Sequence, residues 1–339
     1  SYKSEDVIIR DKSGDIFENG AIEIRTAQIH NVKEMDIKIP KGKLTVVSGV
    51  SGSGKTTLLL EALYPAVKAQ INNEELSDDI RDIVCDGIKK IELIDSVPIG
   101  KNVRSTVATY SKVLDDLRRE FAKLSDEYKM ADFSYNTGKL RCPTCNGTGS
   151  VSMDVQFLPD VEMTCPDCDG LRYDKKVDDI KYNGLSLADI MSLTVDEALE
   201  DLFGLEKATS KLQKLSDLGL GYLTLGEATP SLSGGEAQRL KLASEIGKSQ
   251  KNSIFIFDEP TIGLHPSDVK VLIDVFNHLI ENGATVIVIE HDLDLIANAD
   301  YIIDIGIEGN VAGEVLACGS LEDIIGSEDS LTGKYLDEL

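Results

Sequence analysis

No apolar run reaches the roughly 18 residues that a membrane-spanning helix needs, so the sequence offers no membrane segment. Basic charge is scarce: 35 Lys and Arg stand against 59 Asp and Glu, a net charge of −24 over 339 residues. That balance excludes broad electrostatic attraction to nucleic acid, whose affinity rests mainly on neutralised phosphates, and leaves only a local patch for any such contact. Cysteine is sparse as well. Of six, four fall in two Cys-x-x-Cys pairs, a metal-binding pattern rather than a disulfide frame. Residues 1–10 show no signal-peptide pattern, and with the cysteine usage this makes a reducing, cytoplasmic setting the expectation. What is present in quantity is apolar side chain, 42% of the residues, which allows a sizeable core, and 339 residues are enough for one large α/β domain carrying an inserted module or for two ordinary domains.

Residues 22–48 hold short apolar stretches that read as strands, with a turn at Pro40 to Gly42. A helix is expected over Thr57 to Tyr64, whereas residues 70–90 are polar and weakly patterned. Leu114, Leu117, Phe121, Leu124 and Tyr128 recur at spacings of three and four, which predicts a helix over residues 111–129. Gly, Pro, Cys and Asp then dominate residues 138–172, a small inserted module, and helical periodicity returns over 186–218. Ser253 to Phe257 and Ala284 to Ile289 are β-rich runs that alternate with helices, implying a mostly parallel sheet.

Gly49-Val50-Ser51-Gly52-Ser53-Gly54-Lys55-Thr56 fits G-x-x-x-x-G-K-[ST] between a strand and a helix. In that pattern the glycines let backbone N–H groups wrap the phosphates of ATP, Lys55 balances their charge, the Thr56 hydroxyl can ligate Mg²⁺, and Thr57 lies next to the phosphates. Asp258 and Glu259 end an apolar strand, the first suited to the Mg²⁺ side of the site and the second to polarising a water. Ser233, Gly234 and Gly235 open a helix, where free N–H groups and the helix dipole favour an anion. Cys142-x2-Cys145-x19-Cys165-x2-Cys168 matches a four-thiolate Zn²⁺ site with no coordination position left open for water.

Leu232-Ser233-Gly234-Gly235-Glu236 resembles the signature of the ABC ATPases, which implies contact with a γ-phosphate held by a second nucleotide domain. His291 resembles their switch histidine. A zinc module between P-loop and signature, together with Ile94-Asp95-Ser96-Val97-Pro98-Ile99-Gly100, Phe157-Leu158-Pro159-Asp160-Val161, Gly263-Leu264-His265 and Ala299 to Gly306, makes the chain similar to the second nucleotide-binding half of UvrA. The fold this implies is an α/β ABC-type P-loop ATPase domain with an inserted helical signature subdomain and a four-cysteine zinc module. Its expected parts are residues 1–90, 91–230 (zinc module 138–172) and 231–339.

The resemblance implies ATP hydrolysis with Lys55, Glu259 and His291 as catalytic residues and recognition of lesion-bearing duplex DNA in nucleotide excision repair. It also implies pairing with a second nucleotide-binding half and work with a UvrB-like helicase. Arg104, Lys112, Arg118 and Arg119 fall where the family meets DNA. Other readings are a transporter ATPase or a drug-resistance paralogue. Ser96 departs from the family, which carries glutamine there, and the shorter side chain does not reach a metal-bound water as glutamine does. A half resembling the family's first is also expected to be missing from the chain.

Overall fold

β1 (Ala21–Thr26) and β2 (Asp36–Pro40) alternate buried and less buried residues and pair antiparallel, Ile22 opposite Ile39 and Ile24 opposite Ile37. β3 (Leu44–Ser48) is buried along its whole length, the mark of a central strand covered on both faces. In the computed structural model, residues 14–100, 102–153, 161–246, 250–264, 266–308 and 311–338 are described; Phe157 to Asp160 and His265 lie outside them.

β4 (Ile80–Val84) joins the free edge of β1, and β5 (Lys90–Ile94) goes instead to the larger sheet. Both begin within the stretch 70–90 that reads as unpatterned, because β4 buries only Ile80 and Ile83 and so shows no alternation. β6 (Ser150–Met153) and β7 (Val161–Thr164) form an antiparallel hairpin. β8 (Ser253–Asp258), β9 (Ala284–Ile289) and β10 (Tyr301–Glu308) complete the parallel part of the large sheet, and β11 (Val311–Gly319) returns antiparallel on its edge. The strand order is β11-β10-β3-β9-β8-β5.

The helix after β3 is wound as π-helix over Thr57–Leu63 and continues as α-helix over Tyr64–Asn72. Its Leu58, Leu59 and Leu63 are fully buried in a core that also takes Ile22 and Ile39 from the small sheet and Ile254, Ile287 and Ile303 from the large one. Burying each such side chain contributes about 1.5–3 kcal/mol. One helix thus fixes the P-loop between two sheets.

The chain divides into two compact units, residues 1–96 with 247–339, and residues 97–246. The boundaries expected from the sequence lie at 90 and 230. The structure groups the helix Gly234–Glu245 with the second unit, because it packs on the helices Val107–Tyr110 and Glu206–Asp217. The helix expected over 111–129 spans Val113–Phe121. Beyond Leu124, half exposed, the chain turns where the Ser125 hydroxyl accepts the N–H groups of Glu127 and Tyr128. Among the described residues no helix is long and apolar enough to cross a membrane.

Candidate nucleotide and zinc sites

The P-loop leaves β3 at Ser48 and turns at Gly49, φ +129°. A Cβ at Gly49 would stand 1.9 Å from the Ile305 carbonyl oxygen, so β10 and the loop approach closely only with glycine there. Lys55 is buried and its ammonium donates to the carbonyls of Gly49 and Val50, both at 2.8 Å. Burial lowers its pKa, and the charges of Glu259, Asp304 and Asp258 oppose that shift without cancelling it. A buried cation in a loop of turned N–H groups, with carboxylates at its rim, suits a triphosphate and a divalent ion. Ser51, Gly52 and Thr56 are exposed at the loop, while Ser53 is buried; Gly54 and Thr57 are intermediate.

Asp258 ends β8 and Glu259 follows it, at the C-terminal edge of the parallel sheet where ligands of such folds bind. Burial and the neighbouring charge of Glu259 raise the Asp258 pKa. Glu259 takes a left-handed backbone, φ +46°, which costs a non-glycine residue about 1–2 kcal/mol. Its N–H donates to the Ile289 carbonyl at 3.0 Å, tying the end of β8 to the end of β9. His291 comes two residues after β9 and brings Nε2 to 3.4 Å from Glu259 Oε1. Lys55, Asp258, Glu259 and His291 therefore share the first unit.

Two buried acids of this unit escape sequence reasoning. Glu290 accepts four hydrogen bonds, from the Thr261 N–H and hydroxyl and from the N–H groups of His291 and Asp292. Asp304 on β10 accepts the hydroxyls of Ser48, Ser330 and Thr332 at 3.1, 2.6 and 2.8 Å, joining the strand before the P-loop to the last helix, Leu331–Asp337. The only signal for Glu290 is its place between an apolar strand and His291.

Ser233, Gly234 and Gly235 lie in the second unit. Ser233 is exposed and caps the helix Gly234–Glu245: its hydroxyl accepts the Glu236 N–H at 3.3 Å and its own N–H donates to the Glu236 carboxylate at 2.7 Å.

In the same unit the sulfurs of Cys142, Cys145, Cys165 and Cys168 lie within 4.8 Å of one another. The pairs Cys142–Cys165 and Cys145–Cys168 stand 3.8 and 3.7 Å apart. Tetrahedral zinc with bonds of about 2.3 Å sets sulfurs about 3.8 Å apart, so the residues fit that metal. Each knuckle closes on a left-handed pair, Asn146-Gly147 and Asp169-Gly170. Burial pushes the Cys142 and Cys168 thiols up. At Cys145 burial acts the same way, but the N–H groups of Gly149 and Gly147 and the neighbouring thiols outweigh it, and its pKa falls to about 7.

The four basic residues expected at DNA all lie in the second unit, Lys112 and Arg119 exposed and Arg104 and Arg118 half-buried. Arg104 donates to the Asn146 carbonyl at 2.7 Å, Arg118 to the Met130 carbonyl and Asp115, and Arg119 to Asp116. Lys112 is exposed, with left-handed backbone. Arg172, which follows the second knuckle, is buried, stacks 5.4 Å from the Tyr135 ring centroid and donates to the Val103 carbonyl.

Over 326 residues the chain is 46% identical to UvrABC system protein A of Staphylococcus aureus (strain COL), covering 94% of this chain and 34% of that protein. The chain is homologous to one third of a UvrA protein. The protein of the same name from Staphylococcus epidermidis is 45% identical over 325 residues, covering 93% of the chain and 34% of the relative. The chain thus spans about a third of the length of the curated relatives it matches. The crystal structure of UvrA2 from Deinococcus radiodurans matches with a TM-score of 0.87 at 35% identity, over 99% of this chain and 41% of that one. No family model matches the chain.

Proposed function

We propose that the chain is an ATP-binding and hydrolysing module of the UvrA type, serving recognition of lesion-bearing DNA in nucleotide excision repair. The observation that carries the reading is the gathering of Lys55, Asp258, Glu259 and His291 at the C-terminal ends of neighbouring parallel strands, in a chain 46% identical to UvrA proteins. Lys55 and the amides of residues 49–57 bind the phosphates, Thr56 and Asp258 hold Mg²⁺, Glu259 takes the proton of the attacking water and His291 orients that site. Mg²⁺ supplies charge neutralisation on the phosphates. Ser233, Gly234 and Gly235 serve the site of a second nucleotide-binding half. The four cysteines hold one structural Zn²⁺, and DNA contact falls to the second unit. The setting is cytoplasmic, and a UvrB-like helicase is the expected downstream partner.

Titration with a fluorescent ATP analogue and a phosphate-release assay test the reading. Lys55→Ala loses analogue binding. Glu259→Gln keeps binding and loses turnover by about 10²–10⁴-fold, since only the proton transfer is removed. Turnover by Glu259→Gln at the unaltered rate sinks the general-base assignment.

A further inference from the structure

We infer that Glu290 is a positioning residue for this hydrolysis, holding the loop after Glu259 and the loop of His291 in one geometry through a single buried carboxylate. The inference rests on the ATPase reading above. Glu290 is 2% exposed, and its two oxygens divide their partners by loop. Oε1 accepts the Thr261 N–H at 2.8 Å and the Thr261 hydroxyl at 2.6 Å. Oε2 accepts the N–H of His291 at 2.6 Å and that of Asp292 at 3.0 Å. The Glu290 N–H donates to the Val47 carbonyl at 3.3 Å, on the strand that feeds the P-loop. One residue therefore meets the strand before the P-loop and both loops that carry the proposed reacting groups.

The chemistry of the side chain matters as much as its place. An ionised carboxylate offers acceptors only, and four donors converge on this one. Glutamine has the same shape but replaces one oxygen by NH₂. Turned either way, it sets a donor against a backbone N–H: that of Thr261, or those of His291 and Asp292. A buried donor without a partner is costly, so one loop must shift. The Glu259 carboxylate and His291 ring, 3.4 Å apart, depend on those two loops. A displacement of about 1 Å among reacting groups costs about 10²-fold in rate. Phosphate binding, made by Lys55 and the P-loop amides, does not pass through Glu290.

The test measures analogue affinity, kcat and melting temperature for the full chain and for Glu290→Gln, Thr261→Val and Thr261→Ser. Expected for Glu290→Gln is a kcat lower by about 10²-fold with affinity held within about threefold, the split that a positional defect gives. Thr261→Val, which removes one of the four donors, lowers kcat by about tenfold, and Thr261→Ser, which restores the hydroxyl, recovers most of that loss. A wild-type kcat in Glu290→Gln overturns the inference, as does a loss of affinity in step with kcat. If Glu290→Gln does not fold, Thr261→Val decides, and an unaltered kcat there overturns it. An unaltered chain that binds the analogue but releases no phosphate brings down the ATPase reading, and the inference falls with it. Equal turnover by an active wild type and Glu290→Gln removes the inference alone.

Discussion

Arg119 donates to Asp116 at 2.7 Å, and Lys211 reaches the other oxygen of the same carboxylate at 2.5 Å. The helices Val113–Phe121 and Glu206–Asp217 are clamped together by this acid, whose side chain is only 9% exposed. Burial works to raise the Asp116 pKa, but the hydrogen bonds from Lys211 and Arg119 prevail and hold it below the ordinary carboxylate value. The folded pKa is depressed, so the stabilisation is full above about pH 4, the unfolded value, and is lost as pH falls through the folded one. Asp116→Asn is expected to destabilise the second unit by about 1–3 kcal/mol at pH 7. The gap to wild type should close as pH drops below about 4. Denaturant melts at a series of pH values check this; a gap that is constant with pH refutes it.

Metal removal should act locally. Cys142→Ser with Cys165→Ser is expected to abolish a content of about one zinc per chain, because four thiolates complete one tetrahedral site. Residues 138–172 should then lose hydrogen-exchange protection while the parallel sheet keeps its own. Metal analysis that finds no zinc in wild type purified without chelator rules the site out.

Gly147 offers a second handle on the same module. A Cβ there would stand 1.7 Å from the Tyr135 carbonyl oxygen, and φ is +78°. Gly147→Ala should therefore lower zinc affinity although every ligand remains. Equal affinity by competitive chelation would show that the knuckle relaxes freely.

DNA binding, if local, should depend weakly on salt. Four neutralised phosphates give a slope of log K against log salt of about −3 to −4. Arg118 and Arg119 are committed to Asp115 and Asp116, so about two phosphates and a slope of about −2 are expected. Arg118→Ala with Arg119→Ala should then lower the melting temperature of the second unit more than it changes the slope. A wild-type slope steeper than about −3 would mean that the arginines leave their acids for phosphate.

The parallel core was legible because β3, β8 and β9 are continuous apolar runs ending in a Gly-rich loop, paired acids and a histidine. The cysteine spacing likewise led directly to four sulfurs in one cluster. Glu290 was not legible: an acid beside His291 and Asp292 in sequence reads as solvated, and only the fold brings Thr261 to it. The basic residues present the opposite case. The acids at i−3 of Arg118 and Arg119 were visible, and they turn what resembles a free cationic face into paired charge.

The second unit, residues 97–246, is one continuous stretch, while the first is built from 1–96 and 247–339. On a ribosome the inserted unit can finish folding while β3 and β5 still lack β8, β9 and β10, the strands that separate and flank them in the sheet. Until those strands emerge, Leu58, Leu59 and the small sheet have only part of their core. The loop over residues 49–56 is thus made early and matures late. A stalled chain ending near residue 250 would hold a finished insert beside an unfinished, aggregation-prone P-loop segment.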